Sequence, residues 1–177
     1  MALAAVLVGC ATKPSQAPAS TAPGPALRGE ATDPEFRLVI STPKATWAAG
    51  ETIQVEAALS YVGGAAQATI AGSGGGVIGF SVVEVNGTRR MEAVSDASCR
   101  PFTIGPGQPM TAPYAKSGGF TAEDPNAAFY RLFFADPLFR LPEGAWRVTV
   151  HASFSTGASC GGGRQVDLAA TVQITVQ

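Results

Sequence analysis

Between Ala145 and Phe154 the chain alternates. Trp146, Val148, Val150, Ala152 and Phe154 fall on one parity, and Arg147, Thr149, His151 and Ser153 on the other. A strand turns successive side chains to opposite faces, so this pattern buries its apolar half only in a sheet with one face covered. The same period runs through Glu51 to Val62, where Ile53, Val55, Ala57, Leu59 and Tyr61 oppose Gln54, Glu56, Ala58 and Ser60. It returns in Val166 to Val176 with Val172, Ile174 and Val176 on one face. Phe36 to Ser41, Ala68 to Ile70, Val77 to Val85 and Arg89 to Val94 read as further strands. Turn residues separate them: Gly63-Gly64, Gly72-Ser73-Gly74-Gly75-Gly76, Gly105-Pro106-Gly107, and Asn86-Gly87, a dipeptide suited to a type I′ hairpin turn. Short strands punctuated in this way predict an all-β fold, an immunoglobulin-like antiparallel β-sandwich.

One segment breaks the period. Asp124 as a cap, Pro125 at the first helical position and the run Ala127 to Phe134 predict a short helical insertion near 124–135, closed by Asp136-Pro137. Glu123-Asp124 is therefore read as a helix start rather than a catalytic carboxylate pair. Two roles are open to the aromatics that follow. They either pack over an open end of the sandwich or stand exposed as anchors for a protein or peptide, since aromatics beside arginine are common at interfaces. Phe129, Tyr130, Arg131, Phe133 and Phe134 are accordingly the candidate partner surface, with Phe139 and Arg140 beyond them.

The amino-terminal stretch Ala2 to Val8 is apolar but far short of the roughly 20 residues that cross a bilayer as a helix. It ends in Leu7-Val8-Gly9-Cys10, which resembles the lipobox of bacterial lipoproteins, although no Lys or Arg precedes it as in an ordinary export signal. The resemblance implies a signal segment over 1–9 and a Cys10 carrying diacylglycerol and a palmitate-like acyl chain on its freed amine. The chain would then be membrane-anchored outside the cytoplasm, at the cell surface or on the periplasmic face. From Ala11 to Pro34, small residues and Pro14, Pro18, Pro23 and Pro25 show no hydrophobic period. Such a stretch buries too little to build a core. Residues 10–34 are read as a lipidated cysteine and disordered linker, and 35–177 as the sandwich domain.

Three cysteines would leave an exported protein with one unpaired thiol. The count resolves if Cys10 carries lipid and Cys99 pairs with Cys160. Such a bond persists outside the cytoplasm, and closing a loop of about 60 residues stabilises by roughly 4 kcal/mol in the chain-entropy view. A reactive or metal-binding thiol would want a nearby His or a CxxC spacing, and neither is present.

Chemistry is otherwise sparse. Lys and Arg number 12 against 13 Asp and Glu, a net charge of −1, and charged residues make up only 14%, so no basic field attracts nucleic acid. His151, the single histidine, lies among the polar positions of its strand, with no nucleophile at a recognisable spacing. Met91 and Met110 are isolated, and the glycine-rich loop lacks the Lys-Ser/Thr ending of a phosphate cradle. No catalytic residue, metal or cofactor is expected.

Three pieces together carry a family likeness: Gly50-Glu51-Thr52-Ile53-Gln54-Val55, the hairpin from Val77 to Gly87, and Leu141-Pro142-Glu143-Gly144-Ala145-Trp146-Arg147-Val148. They resemble the intracellular proteinase inhibitor family of immunoglobulin-like bacterial β-sandwiches, and the likeness covers most of the domain at the level of pattern. It implies protease inhibition through loops at one end of the sandwich. A weaker likeness to chagasin-type cysteine-protease inhibitors rests on Gly72-Ser73-Gly74-Gly75 and Arg100-Pro101-Phe102, without that family's Asn-Pro-Thr-Thr-Gly loop. The lipobox, two further cysteines and the aromatic insertion depart from the first family. The expectation is therefore a lipid-anchored, non-enzymatic binding or structural module of the bacterial cell envelope, with protease inhibition as the alternative.

Overall fold

A computed structural model describes residues 26–177, so Cys10, the signal segment and most of the linker reading lie outside the described residues. The strands are β1 (Leu27–Thr32), β2 (Phe36–Thr42), β3 (Thr46–Trp47), β4 (Glu56–Tyr61), β5 (Ala68–Ser73), β6 (Ile78–Glu84), β7 (Arg90–Met91), β8 (Cys99–Ile104), β9 (Met110–Pro113), β10 (Gly144–Thr156) and β11 (Gln165–Val176). Among the described residues there is a single short helix, α1 (Ala127–Ala135), between β9 and β10. One sheet runs β1-β2-β4-β9, and the other runs β3-β11-β10-β5-β8 with β6 and β7 beside β10. The chain is an all-β sandwich of two packed sheets.

The alternation of β10 is realised in full. Trp146, Val148 and Val150 are completely buried, and Ala152 and Phe154 nearly so. Their antiparallel partners on β11 bury every second residue as well, from Val166 to Val176. Phe36, Leu38 and Ile40 of β2 and Leu59 of β4 close the core from the other sheet. The glycine at 29 lets the sheets meet at one side: a Cβ there would lie 2.3 Å from the carbonyl oxygen of Thr171, so the β1 and β11 backbones approach as only glycine permits.

β10 also organises an interrupted partner strand. Its first part pairs with β6, ending at Ala152 opposite Ile78, and its last part pairs with β5, beginning at Ser155 opposite Ala71. Three steps along β10 thus correspond to seven along the partner, an excess of four residues. β5 and β6 are one strand interrupted by the glycine-rich excursion, a large relative of the β-bulge. Because four is even, Ile70, Phe80 and Val82 still face the core on both sides of the break.

Several boundaries differ from the sequence reading. The stretch assigned to linker up to Pro34 contains β1, which pairs with β2 from Leu27 opposite Thr42 to Thr32 opposite Arg37. Its inward face is Leu27, Gly29 and Ala31, too small to register as a hydrophobic period. The hairpin is set by Asp33, whose Oδ1 accepts the backbone N–H groups of Glu35 at 2.9 Å and Phe36 at 2.8 Å. Ile53 and Val55 are buried as the alternation requires, but the ladder begins only at Glu56. Before it, the Ile53 N–H donates to Phe139 O at 2.8 Å and the Tyr114 N–H to Val55 O at 2.9 Å. Asn86-Gly87 does not form a type I′ turn, because Asn86 alone of the two takes a positive φ (65°). The Glu84 N–H instead reaches Arg89 O at 2.9 Å around a longer loop, and β7 ends at Met91 rather than Val94.

The helix begins later than expected, at Ala127. Asp124 makes a turn, accepting the Asn126 N–H at 2.7 Å, while Asn126 occupies the cap position with its side chain directed to Thr88. At the other end, no basic residue lies in the last helical turn. Lys116 reaches in from outside, donating through Nζ to the carbonyls of Phe133 and, at 2.6 Å, Asp136. A cation placed there offsets the negative end of the helix dipole.

Candidate functional site

The aromatic face of α1 turns inward. Tyr130 and Phe133 are each 4% exposed and belong to the core, and Phe129 and Phe134 are half-buried against it. Phe129 stacks near Trp146 with ring centroids 6.2 Å apart, and the Tyr130 hydroxyl accepts the Arg90 N–H at 2.9 Å. The Arg89 guanidinium lies over Phe129 at 5.1 Å and Trp146 at 5.0 Å, held by Glu84 through charged hydrogen bonds. The hydrogen bond from Arg89 is the main reason the Glu84 carboxyl sits below its ordinary range. These contacts overturn the surface reading for Tyr130 and Phe133, whose rings belong to the core, and pack Phe129 and Phe134 half-buried beside them, as in the alternative in which the insertion packs over the sandwich. Arg131 is exposed beside Leu132, which is 74% exposed, but no aromatic accompanies them.

Concavity appears elsewhere, where β5 and β6 part. A groove of about 630 Å³ opens beside the Gly72–Gly76 excursion. His151, Ser153 and Ser155 of β10 and Gln165 of β11 supply its polar lining, and the strap from Glu92 to Ser98 forms the opposite side. It lies on the face of β10 away from the core, the same parity that the alternation left polar. The volume is within the usual range for small-ligand pockets, roughly 300–1,000 Å³.

The strap leaves the sheet after β7 and is tied at three places. Asp96 accepts the N–H groups of Gly74 at 3.2 Å, Gly75 at 2.8 Å and Ser98 at 2.9 Å, together with the Ser98 hydroxyl. That hydroxyl, with the backbone donors, holds the Asp96 carboxyl below its ordinary value, so it is ionised at neutral pH. Consecutive backbone N–H groups around an oxyanion form a nest, here filled by the chain's own carboxylate. The Val94 N–H reaches the Ser117 hydroxyl at 3.4 Å. The third tie is covalent: Cys99, at the end of the strap, is bonded to Cys160 in the β10–β11 loop, with Cα atoms 5.9 Å apart. The disulfide read from the cysteine count is present.

His151 sits on the outer face as predicted, but half-buried rather than freely solvated. Its Nε2 shares a 2.8 Å hydrogen bond with the Ser81 hydroxyl. Ser81 is 7% exposed and does not line the groove, so the pair orients the imidazole rather than presenting a nucleophile. Ser153 donates to Asp167 at 2.6 Å, and the Ser155 hydroxyl contacts Gln165 Oε1 at 3.0 Å. Among the described residues, no group of three or more His, Cys, Asp or Glu side chains is arranged to hold a metal ion. Neither Ser81 nor Asp96 was marked by the sequence reading. A serine or aspartate in a polar run carries no signal until its partner from a distant strand is known.

A second, more apolar groove of about 680 Å³ lies at another end of the domain, among Ala26, Pro43, Pro113, Pro137 and Leu138 beside the stacked rings of Tyr114 and Phe139. Arg100-Pro101-Phe102, compared above with a chagasin loop, is part of β8 and pairs with β5, Gly72 opposite Arg100. It does not form a loop tip. Comparison with protein-family models and with curated proteins finds no match.

Proposed function

We propose that this chain is a lipid-anchored, extracytoplasmic binding module of the cell envelope, without catalytic activity, that uses the groove beside the excursion. The observation that carries the reading is the Cys99–Cys160 bond across 61 residues. A cross-link of this kind persists in oxidising compartments, and it accounts for two cysteines while leaving Cys10 to the lipobox-like sequence. Among the described residues no helix is long and apolar enough to cross a membrane, which agrees with anchoring by lipid. The binding role draws on the groove, whose oriented imidazole and hydroxyls stand on a rigid two-sheet frame. Acyl chains on Cys10 would add roughly 0.8 kcal/mol per buried methylene, so two or more hold the protein at a membrane.

Mass spectrometry of the protein purified from membranes tests the anchor. The expected amino-terminal peptide begins at Cys10 and carries diacylglycerol, and Cys10→Ser releases the protein into the soluble fraction. An unmodified peptide beginning at Met1 on exported protein would overturn the reading.

A further inference from the structure

We propose that the groove beside the Gly72–Gly76 excursion takes a neutral polyhydroxyl chain, a glycan segment, an inference that rests on the binding role given above. Three features of the lining point to this chemistry. The first is charge: among the described residues no Lys or Arg lines the groove, whereas Glu92 and Asp96 do. A phosphate, sulfate or uronate chain would meet the Asp96 carboxylate and Glu92, the latter paired only loosely with Arg90 at 3.9 Å, which disfavours anionic ligands.

The second feature is hydrogen bonding. His151 is fixed through Nε2 to Ser81, and its Nδ1 has no hydrogen-bond partner among the described residues. Ser153 donates its proton to Asp167, which leaves its oxygen as an acceptor, approached by Gln165 Nε2 only at 3.4 Å. These are oriented polar groups with unused capacity, the kind that a hydroxyl, both donor and acceptor, satisfies in either sense.

The third is the presence of apolar surface beside polar surface. Val77 and Val94 also line the groove, and Val94 is 62% exposed with no role in the core. A sugar ring presents C–H faces and hydroxyl edges together, and this lining offers a surface for each. The small residues of the excursion and strap leave backbone close to the space. Past the groove, the same face continues along β10 and β11 through cross-strand pairs such as Thr149 with Thr171, whose hydroxyls lie 2.9 Å apart. A chain of sugars leaving the groove would follow that polar ribbon.

The test uses the full-length protein in detergent, with backbone amide resonances followed during titration. Cellohexaose and chitohexaose are the neutral probes, hexagalacturonate is the anionic analogue of similar shape, and hexaglycine is the uncharged peptide. A neutral oligosaccharide is expected to shift His151, Ser153, Gln165 and the strap, with hexagalacturonate about tenfold weaker or absent. His151→Ala and Val94→Asp are each expected to weaken binding about tenfold. Val94 is exposed, so its replacement leaves the fold intact and the result interpretable. Equal or tighter binding of hexagalacturonate overturns the ligand class. Shifts at the groove with hexaglycine alone overturn the glycan while leaving the groove as the binding site. If no probe moves the groove residues, the glycan proposal and the assignment of this groove as the site both fail.

Discussion

Replacing Cys99 and Cys160 together by alanine removes a cross-link between positions 61 residues apart. In the chain-entropy description, a closed loop of that length reduces the entropy of the unfolded chain by an amount equivalent to about 4 kcal/mol at 25 °C. The native sheets lose little directly, because both cysteines are exposed and the core contains neither of them. The double variant is therefore expected to fold, with its sheet signals intact, and to lose about 4 kcal/mol in urea unfolding, an upper value if the unfolded chain is compact. Hydrogen exchange should localise the native-state change to the strap, where the Asp96 hydrogen bonds, the Gly74 N–H to Ser98 O bond at 3.1 Å and the Ser117 contact remain. A loss below about 1 kcal/mol would refute the unfolded-state argument. General loss of protection across β10 and β11 would refute the claim that the frame stands without the bond.

Tyr130→Phe keeps the ring and removes the acceptor for the Arg90 N–H, so thermal unfolding should register a loss of about 1 kcal/mol; no change would mean that this bond does not tie the helix to β7. Phe133→Ala deletes a buried ring from the same element and should cost about 3–5 kcal/mol by chemical denaturation, whereas a neutral result would restore the exposed-surface reading. Glu84 has a folded carboxyl value below its ordinary 4.5, with the Arg89 hydrogen bond as the largest cause. Its contribution is present above the unfolded value and disappears as pH falls through the folded one. Glu84→Gln should thus lower the urea midpoint at pH 7 and approach the wild-type midpoint in strong acid; a constant difference across that range would contradict the ion-pair account. Gly29→Val forces a side chain against Thr171 O and should open the β1–β11 side, seen as faster exchange of β1 amides, and unchanged exchange would show that the two backbones do not need their close approach.

Legibility in this sequence followed residue size and parity. Trp146 to Phe154 could be placed residue by residue, and Val172, Ile174 and Val176 in the last strand, because large apolar side chains recur at the period of a strand. β1 escaped because Leu27, Gly29 and Ala31 are mostly small, and its order comes from backbone pairing and the Asp33 turn. The helix was visible from its aromatics, but which way they faced depended on Trp146 and Arg89, contributed by elements far away in sequence. The cysteine pair was legible by counting. The groove was not, since it arises from a mismatch in length between β10 and its interrupted partner. Asn86-Gly87 misled because a local dipeptide preference yielded to the Glu84–Arg89 clamp, which sets the loop from outside the turn.

That interrupted partner separates two jobs that usually compete. With β5 and β6 each pinned to the same long neighbour, the stretch between them can change composition without shifting the register of either flank. In the proposed binding role the surface is in this sense separable from the scaffold, within limits set by the loop: a Cβ at Gly74 would lie 2.2 Å from Ser98 Oγ and Gly76 holds a φ of 123°, so variation belongs on the strap, at the exposed Val94 and Ser95, while the hydrophobic interior stays as it is. A library built there, displayed on the unchanged frame, would yield binders of differing preference and similar thermal stability.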